Sequence, residues 1–329
     1  MSVFRTVLPD IDFPKDINPM HKLLCMGSCF AENIGNRLKD AKFQVNINPF
    51  GILFNPISIA DSLDFLLQKK YFETVDIFEH EGIWQSFMHH SRFGALDADI
   101  ALANINEALR IARADLQSAD WLIVTLGTAN VFVDKQTDKV VANCHKLPAN
   151  RFERKQLQLP EIEQSLHATF ERLQTQYPNL KILLTVSPIR HIKDGLIENQ
   201  RSKARLILAA ESLTNTMANI FYFPAYELLM DDLRDYRFYE KDMIHPNEQA
   251  VDYIWDYFNN NLFSETTKTL LSEIEGLRSA ATHRPFQVDS AAYQHFAKAT
   301  LDKINVLCAR FSHLDFTYEI GILAARLKA

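Results

Sequence analysis

Apolar and polar positions alternate along the chain in two periods, which predict short buried strands and longer amphipathic helices. Lys22–Met26, Trp121–Leu126 and Lys181–Val186 are brief apolar runs typical of buried parallel strands. Ala98–Gln117 has its apolar residues at helical spacing. The pattern further predicts strands at 43–47 and 220–223, helices at 31–39, 57–69, 160–176, 201–218 and 246–258, and hairpins that join 74–78 to 83–87 and 131–133 to 139–141.

Strands and helices alternate from residue 22 to 258, and this order predicts a parallel sheet with helices on both faces, as in flavodoxin-like α/β folds. Residues 263–329 contain no strand candidate and are expected to be helical. We therefore expect an α/β domain over 1–262 and a helical C-terminal extension over 263–329. In a parallel sheet, functional groups gather at the carboxyl ends of the strands.

Composition narrows the class of protein. The net charge of −6 disfavours a nucleic-acid partner, and no apolar stretch is long enough for a membrane span. The first residues lack the pattern of a signal peptide, and four cysteines in 329 residues do not form a disulfide framework. These features indicate a cytoplasmic protein without a membrane partner.

Ser28 is a candidate nucleophile because it follows the first strand and Gly27, at the predicted start of a helix. There its hydroxyl would project from the carboxyl edge of the sheet, beside backbone N–H groups and the positive end of the helix dipole. Such groups stabilise a developing oxyanion. The alternative is that Ser28 only caps the helix, although Ala31 occupies the place where a capping box has Glu or Gln.

A serine nucleophile needs a base and an orienting carboxylate. Of the eleven histidines, His245 is the best candidate for the base, since Pro246 is expected to begin a helix and to place His245 at or near its N-terminus. Asp242, three residues earlier, would accept the Nδ1 proton. The alternative is a histidine that merely caps the helix.

Other polar residues are candidates for an oxyanion hole or a pocket wall. Gly51 and Gly127 end strand-like runs and could lend backbone N–H groups, and Thr128 and Asn130 carry side-chain donors; simple turns and caps are the alternatives. The remaining candidates are pocket-lining residues, namely Trp84, His89, His90, Ser91, His145 and Arg190. The histidines together with Cys144 do not have the spacing of a zinc site, so we expect no metal. Cys29 is a rival nucleophile, because a helix N-terminus lowers a thiol pKa.

Several motifs in order resemble the GSCFA family, which is placed in the SGNH hydrolase superfamily. They are GSCFAENIG at 27–35, NPFGILFNP at 48–56, TLGTANVF at 125–132, CHKLP at 144–148, TVSPIRH at 185–191 and DMIHPNEQAVDYIW at 242–255. The likeness extends over residues 1 to about 260.

The resemblance implies a three-layer α/β/α fold and ester hydrolysis by Ser28, with Asp242 and His245 as the Asp-x-x-His motif. It also implies an oxyanion hole built from the N–H of Ser28, from Gly51 and from an Asn. The superfamily places that Asn two residues after a Gly, where this chain has Ala129. Asn130 or Thr128 would take its place, or the hole would have two donors. The elbow G-x-S-x-G of the α/β-hydrolases is absent.

Three functional hypotheses follow. The preferred one is a serine esterase or deacylase that hydrolyses or transfers a small acyl group on an oxygen, without a cofactor, in a small-molecule or carbohydrate ester. The second is a binding protein on an SGNH scaffold whose helical C-terminus docks a partner. The third is a thiol or metal enzyme that uses Cys29 or the Cys144-His145 pair. The sequence leaves the substrate and the oligomeric state open.

Overall fold

The computed structural model describes residues 5–327 and has a five-stranded parallel sheet at its centre. The strands lie in the order β10-β9-β5-β1-β2. Their bounds are β1 Lys22–Gly27, β2 Gln44–Ile47, β5 Trp121–Leu126, β9 Lys181–Val186 and β10 Ile220–Phe223. This is the flavodoxin-like order, so the predicted parallel α/β sheet is confirmed.

Alternate residues of each strand face opposite sides of the sheet, and each side has its own apolar core. In β1, Leu23 and Cys25 belong to one core, whereas Leu24 and Met26 belong to the other. Because both faces are covered, the strands are almost continuously apolar, which is why the sequence identified them well.

The helices form the two outer layers of the expected α/β/α sandwich. One layer packs on the core that contains Leu23, and it comprises α1 Cys29–Asp40 and α7 Glu248–Leu262. The opposite layer comprises α2 Pro56–Leu67, α3 Ala98–Gln117, α4 Leu159–Gln176 and α5 Leu196–Thr216. Each layer buries the apolar stripe that its sequence predicted.

Two small antiparallel sheets lie outside the central one. Strands β3 Phe78–His80 and β4 Ile83–Gln85 form a hairpin, and the predicted start of its first strand is wrong, since Thr74–Asp76 is a 3₁₀ turn. The other sheet has the order β7-β6-β8, with β6 Asn130–Asp134, β7 Lys139–Val141 and β8 Phe152–Gln156. The pattern missed β8 because its middle residues are exposed and charged.

The prediction that α7 begins at Pro246 is also wrong. Asn247 is the N-cap, and its side chain accepts a hydrogen bond from the backbone N–H of Ala250 at 3.1 Å. Pro246 lies before the helix, in a β-bridge with Tyr239. His245 is therefore held by the preceding loop, and the helix dipole acts on it less directly than expected.

Between β10 and α7, the chain forms the short helix α6 Ala225–Glu227 and a π-helical segment at Leu228–Leu233. Beyond α7 the described residues form α8 Glu265–Thr282, α9 Ala291–Arg310 and α10 Thr317–Arg326, which share an apolar core of their own. This group is tied to the end of α1 by the ion pair of Lys42 with Glu319, whose nitrogen–oxygen distance is 2.7 Å. Within residues 5–327, none of the helices has the length and apolar character needed to cross a membrane. The domain division at 262–263 stays a prediction.

Candidate functional site

The crevice where the strand order reverses lies between the carboxyl ends of β1 and β5. The strand β2 flanks β1 on one side, and β9 and β10 follow β5 on the other. In open α/β sheets, this switch point is where ligands bind. Ser28 follows β1 and Gly127 follows β5, so both residues lie at the crevice.

A tight turn at Gly27 places Ser28 at the start of α1. Gly27 has φ +135° and its Cα lies against the backbone of Thr125, so a side chain there would overlap that strand. Ser28 is the N-cap of α1, and its Oγ accepts a hydrogen bond from the Phe30 N–H at 3.2 Å. The predicted position at the carboxyl edge is thus observed together with the capping role.

Ser28 is enclosed in this structure. Its residue is 1% exposed, and its backbone N–H donates to the carbonyl oxygen of Thr125 at 3.2 Å. Ser28 thus has little contact with solvent in this structure.

Asp242 and His245 form a directly bonded pair on the loop before α7. His245 Nδ1 lies 2.6 Å from Asp242 Oδ2, and the two side chains are 45% and 44% exposed. Asp242 Oδ1 also accepts the backbone N–H groups of Ile244 and His245, at 2.8 and 3.0 Å. The bond from the His245 ring, together with these two, lowers the pKa of Asp242 to about 2. The carboxylate is therefore ionised and fixed in orientation.

This loop is joined to the loop that follows β9. The N–H of Arg190 donates to the carbonyl of Ile244 at 3.3 Å, and the N–H of Glu240 donates to the carbonyl of His245 at 2.8 Å. No hydrogen bond links Ser28 to His245 within residues 5–327. The nucleophile and base candidates are thus not hydrogen-bonded to each other in this structure.

Gly51 lies beside the Ser28 turn in the loop after β2. Its φ is +80°, and a side chain there would overlap the Cβ of His90. The Gly51 N–H donates to the carbonyl of Asn48 at 2.7 Å, and the neighbouring Leu53 N–H donates to the carbonyl of Gly27 at 2.9 Å. Gly51 is thus close to the crevice, with its donor occupied in this structure.

Thr128 and Asn130 use their side chains elsewhere. The Thr128 hydroxyl is 3.1 Å from Ser202 Oγ and accepts the Asn130 N–H, also at 3.1 Å. The Asn130 amide nitrogen donates to Asp194 Oδ2 at 3.0 Å. Both side chains thus hold β6 against the loop and helix that follow β9.

The pocket-wall candidates fall into separate groups. His90 lies against Gly51, while Trp84 lies in the β3–β4 hairpin, where its backbone pairs with Ala95. The Ser91 hydroxyl accepts a hydrogen bond from the Asn143 amide at 3.2 Å. The Arg190 guanidinium stacks over the ring of Tyr239, 4.2 Å from its centroid. Of these residues, His90 contacts the Gly51 loop, and Arg190 contacts the loop that carries Asp242 and His245.

His89 and His145 are buried in an aromatic cluster behind the Gly51 loop. The His89 ring stacks on Phe50 at 4.9 Å between centroids, and burial lowers its pKa to about 3. His145 Nε2 lies 2.7 Å from the carbonyl of Ser86. In residues 5–327 the Nδ1 atoms of both histidines are buried without a hydrogen-bond partner. These two residues pack the loop and do not line the crevice.

The thiol alternative assumed that the helix N-terminus lowers the pKa of Cys29, and the structure does not support this assumption. Burial and the nearby Glu32 raise the pKa of Cys29, whereas an activated thiol needs a lowered one. Burial likewise raises the pKa of Cys144. The described part of the chain contains no group of three or more His, Cys, Asp or Glu side chains arranged to hold a metal ion.

Sequence reasoning missed two basic residues at this edge, the buried Lys203 and the half-buried His191. Lys203 lies on the buried face of α5, and its Nζ donates to the carbonyls of Gly127 and Ser187 at 2.7 and 2.6 Å. Burial lowers the pKa of Lys203 to about 7. One signal could have revealed it, because Lys203 interrupts an apolar stripe at helical spacing that continues through Leu206, Ala210 and Leu213. The second residue is His191, which the sequence showed only as part of a motif.

Comparisons with known proteins match two family models to this chain. A model of the GSCFA family matches residues 22–258, and a model of the GSCFA domain protein, C-terminal domain, matches residues 274–329. The comparison with curated proteins gives no match. Among solved structures, a chain from Streptococcus pneumonia named for platelet activating factor is 11% identical, over 76% of this chain and 86% of that chain, with a TM-score of 0.39.

Proposed function

The chain belongs to the GSCFA family, and from that premise we propose that it is a serine hydrolase of the SGNH type that cleaves or transfers a small acyl group on an oxygen. Ser28 is the nucleophile, His245 the general base and Asp242 the residue that orients it. The catalytic part is the α/β region over 1–262, with 263–329 as a helical extension. The substrate is an ester of a small molecule or a carbohydrate.

The bond between Asp242 and His245 is the observation that carries this proposal. A carboxylate held by two backbone N–H groups accepts from Nδ1, which leaves Nε2 of His245 as the free acceptor. The loop that carries the pair is bonded to Arg190, which follows the carboxyl end of β9, and Ser28 follows the carboxyl end of β1 in the same sheet. A histidine that merely capped α7 would need no such carboxylate, and the cap is in fact Asn247.

In the first half of the reaction, Ser28 Oγ attacks the acyl carbon while Nε2 of His245 takes the hydroxyl proton. The tetrahedral intermediate collapses as the imidazolium gives that proton to the leaving alcohol, and an acyl-serine remains. Water or a second alcohol then attacks the acyl carbon and loses its proton to His245, and Ser28 leaves with the proton restored. Asp242 stabilises the imidazolium in both halves.

The N–H groups of Ser28 and Gly51 are the proposed oxyanion donors. Both have internal acceptors in this structure, Thr125 and Asn48, so the oxyanion must replace those carbonyls. His90, beside Gly51, and Arg190, beside the Asp242–His245 loop, are the proposed contacts for the alcohol or acyl part of the substrate.

The test is covalent labelling by a fluorophosphonate, followed by intact mass and peptide mapping. We expect one adduct on Ser28, and we expect Ser28→Ala and His245→Ala to remove it while both proteins stay folded. Ser187→Ala is the matched control, because Ser187 also ends a strand and its Oγ accepts the N–H two residues on, Ile189, at 3.3 Å. Labelling of the wild type that persists in Ser28→Ala would refute the assignment.

The burial of Ser28 and the occupied N–H groups of Ser28 and Gly51 favour a second candidate, a binding protein on the same scaffold. Folded wild-type protein that resists the probe, at concentrations that label an ordinary serine esterase, would support this function instead. The helical extension would then be the first place to look for a partner.

A further inference from the structure

His191 is a half-buried residue on the loop that follows β9. Its backbone N–H donates to Asn199 Oδ1 at 2.8 Å, which fixes the residue against the start of α5. The adjacent Arg190 bonds the Asp242–His245 loop through the carbonyl of Ile244. His191 is therefore held from both sides.

The ring of His191 covers the end of β5, the strand beside β1. A Cβ atom built on Gly127 would lie 3.3 Å from His191 Nε2 and 2.8 Å from the carbonyl oxygen of Phe54. The Phe54 ring meets the imidazole edge to face, with 5.5 Å between centroids. Gly127 thus makes room for Nε2 at the switch point, where a larger residue would displace the ring.

Nε2 of His191 is buried and has no hydrogen-bond partner within residues 5–327. A buried polar atom without a partner is costly, so where it persists a ligand or substrate atom is a natural candidate for the partner. Burial, together with Lys203, His245 and Arg154, lowers the pKa of His191 to about 3. The ring is therefore neutral in ordinary buffers, and a neutral imidazole can donate one N–H to a developing oxyanion.

We propose that His191 is a catalytic residue whose Nε2–H is the third oxyanion donor. It takes the role expected of Thr128 or Asn130, because the side chains of those two residues are bonded elsewhere. The inference rests on the proposed function, since it needs an oxyanion formed at Ser28. Lys203 acts as a positioning residue, because it ties the carbonyl of Gly127 to that of Ser187, just before the His191 loop.

The experiment compares two substitutions at position 191 in the full chain, with p-nitrophenyl acetate hydrolysis and the fluorophosphonate labelling rate as readouts. His191→Phe keeps a ring for packing and removes the donor, and we expect kcat and the labelling rate to fall by about 10²- to 10³-fold with little change in KM. His191→Gln can place an amide N–H near the former Nε2, and we expect it to recover at least about tenfold of that loss.

His313→Phe is the matched control. Within the described chain, its Nε2 is also buried without a partner, and its ring also meets a phenylalanine edge to face, with 6.1 Å between the centroids of His313 and Phe311. His313 lies between α9 and α10, outside the proposed site. The kcat of His313→Phe should therefore equal that of the wild type.

The outcomes separate the two proposals. Labelled wild type with unchanged kinetics in folded His191→Phe would overturn the role of His191 and leave the proposed function standing. A folded wild type without labelling or hydrolysis would overturn the proposed function, and this inference with it. A pH–rate profile of His191→Gln that has lost its lower limb would assign His191 as the base and would overturn the donor role.

Discussion

Histidine occurs in two contrasting settings within this protein. His245 is 45% exposed, and its ring is bonded to an ionised carboxylate. His89 and His145 are buried among phenylalanine rings, and burial lowers the pKa of each. His245 keeps one ring nitrogen free for proton transfer at little cost to folding. His89 and His145 pack a loop and must remain neutral. Substitution of His245 should therefore lower activity with little change in stability, whereas substitution of His89 or His145 should mainly change stability.

The largest effect is expected from removing the exposed imidazole. In His245→Ala, esterase activity should fall on the order of 10⁶-fold, the loss typical of a triad histidine. Because the side chain is exposed, the melting temperature should change by no more than about 2 °C. His295→Ala, an exposed histidine on α9, should change neither quantity. Activity that survives in His245→Ala would place the base elsewhere.

The next effect comes from the carboxylate that orients His245. Asp242→Asn keeps an oxygen for the backbone N–H groups but can no longer accept the Nδ1 proton as an anion, so kcat should fall about 10⁴-fold. Asp235→Asn is the control, since Asp235 Oδ1 likewise accepts the backbone N–H two residues on, Arg237, at 3.0 Å. Equal losses in both variants would show a general loop defect.

Gly51 lies next to Phe50, on which His89 stacks, and its substitution should affect folding. Gly51→Ala combines φ +80° with overlap on the Cβ of His90, and we expect a loss of about 2–4 kcal/mol in the free energy of unfolding. Gly82→Ala has nearly the same φ, +78°, but nothing within 4 Å, so it should lose only the strain of about 1–2 kcal/mol. Denaturant unfolding measures the difference, and equal losses would mean that His90 gives way freely.

The last effect develops only below pH 6.5 and concerns acid stability. The pKa of folded His89 is about 3, against about 6.5 unfolded, so below pH 6.5 the unfolded chain binds a proton that the folded one excludes. Stability should therefore fall as pH drops from 6.5 toward 3, by about 1.4 kcal/mol per pH unit for this residue. His89→Leu and His89→Gln should both lower that slope by this amount. His295→Leu should leave it unchanged, and an unchanged slope in the His89 variants would contradict the account.

Much of the fold was predictable because its causes are local or periodic. The strands at Trp121–Leu126, Lys181–Val186 and Ile220–Phe223 and the helix at Ala98–Gln117 have their predicted bounds. The start of α7 was misplaced because Asn247 and Pro246 both favour a helix start, and the bridge to Tyr239 decided between them. The strand β8 was missed because its charged residues show no apolar alternation.

The sequence by itself determined the order of strands and helices, the glycine turn before Ser28 and the Asp242–His245 pair, because each depends on residues a few positions apart. Only the tertiary structure decided which distant residues meet at the crevice. It turned Asn130 toward Asp194, buried Lys203 between two strand ends and laid His191 over Gly127. Those contacts depend on strand neighbours that are far apart in sequence, and a single chain carries no local pattern that encodes them.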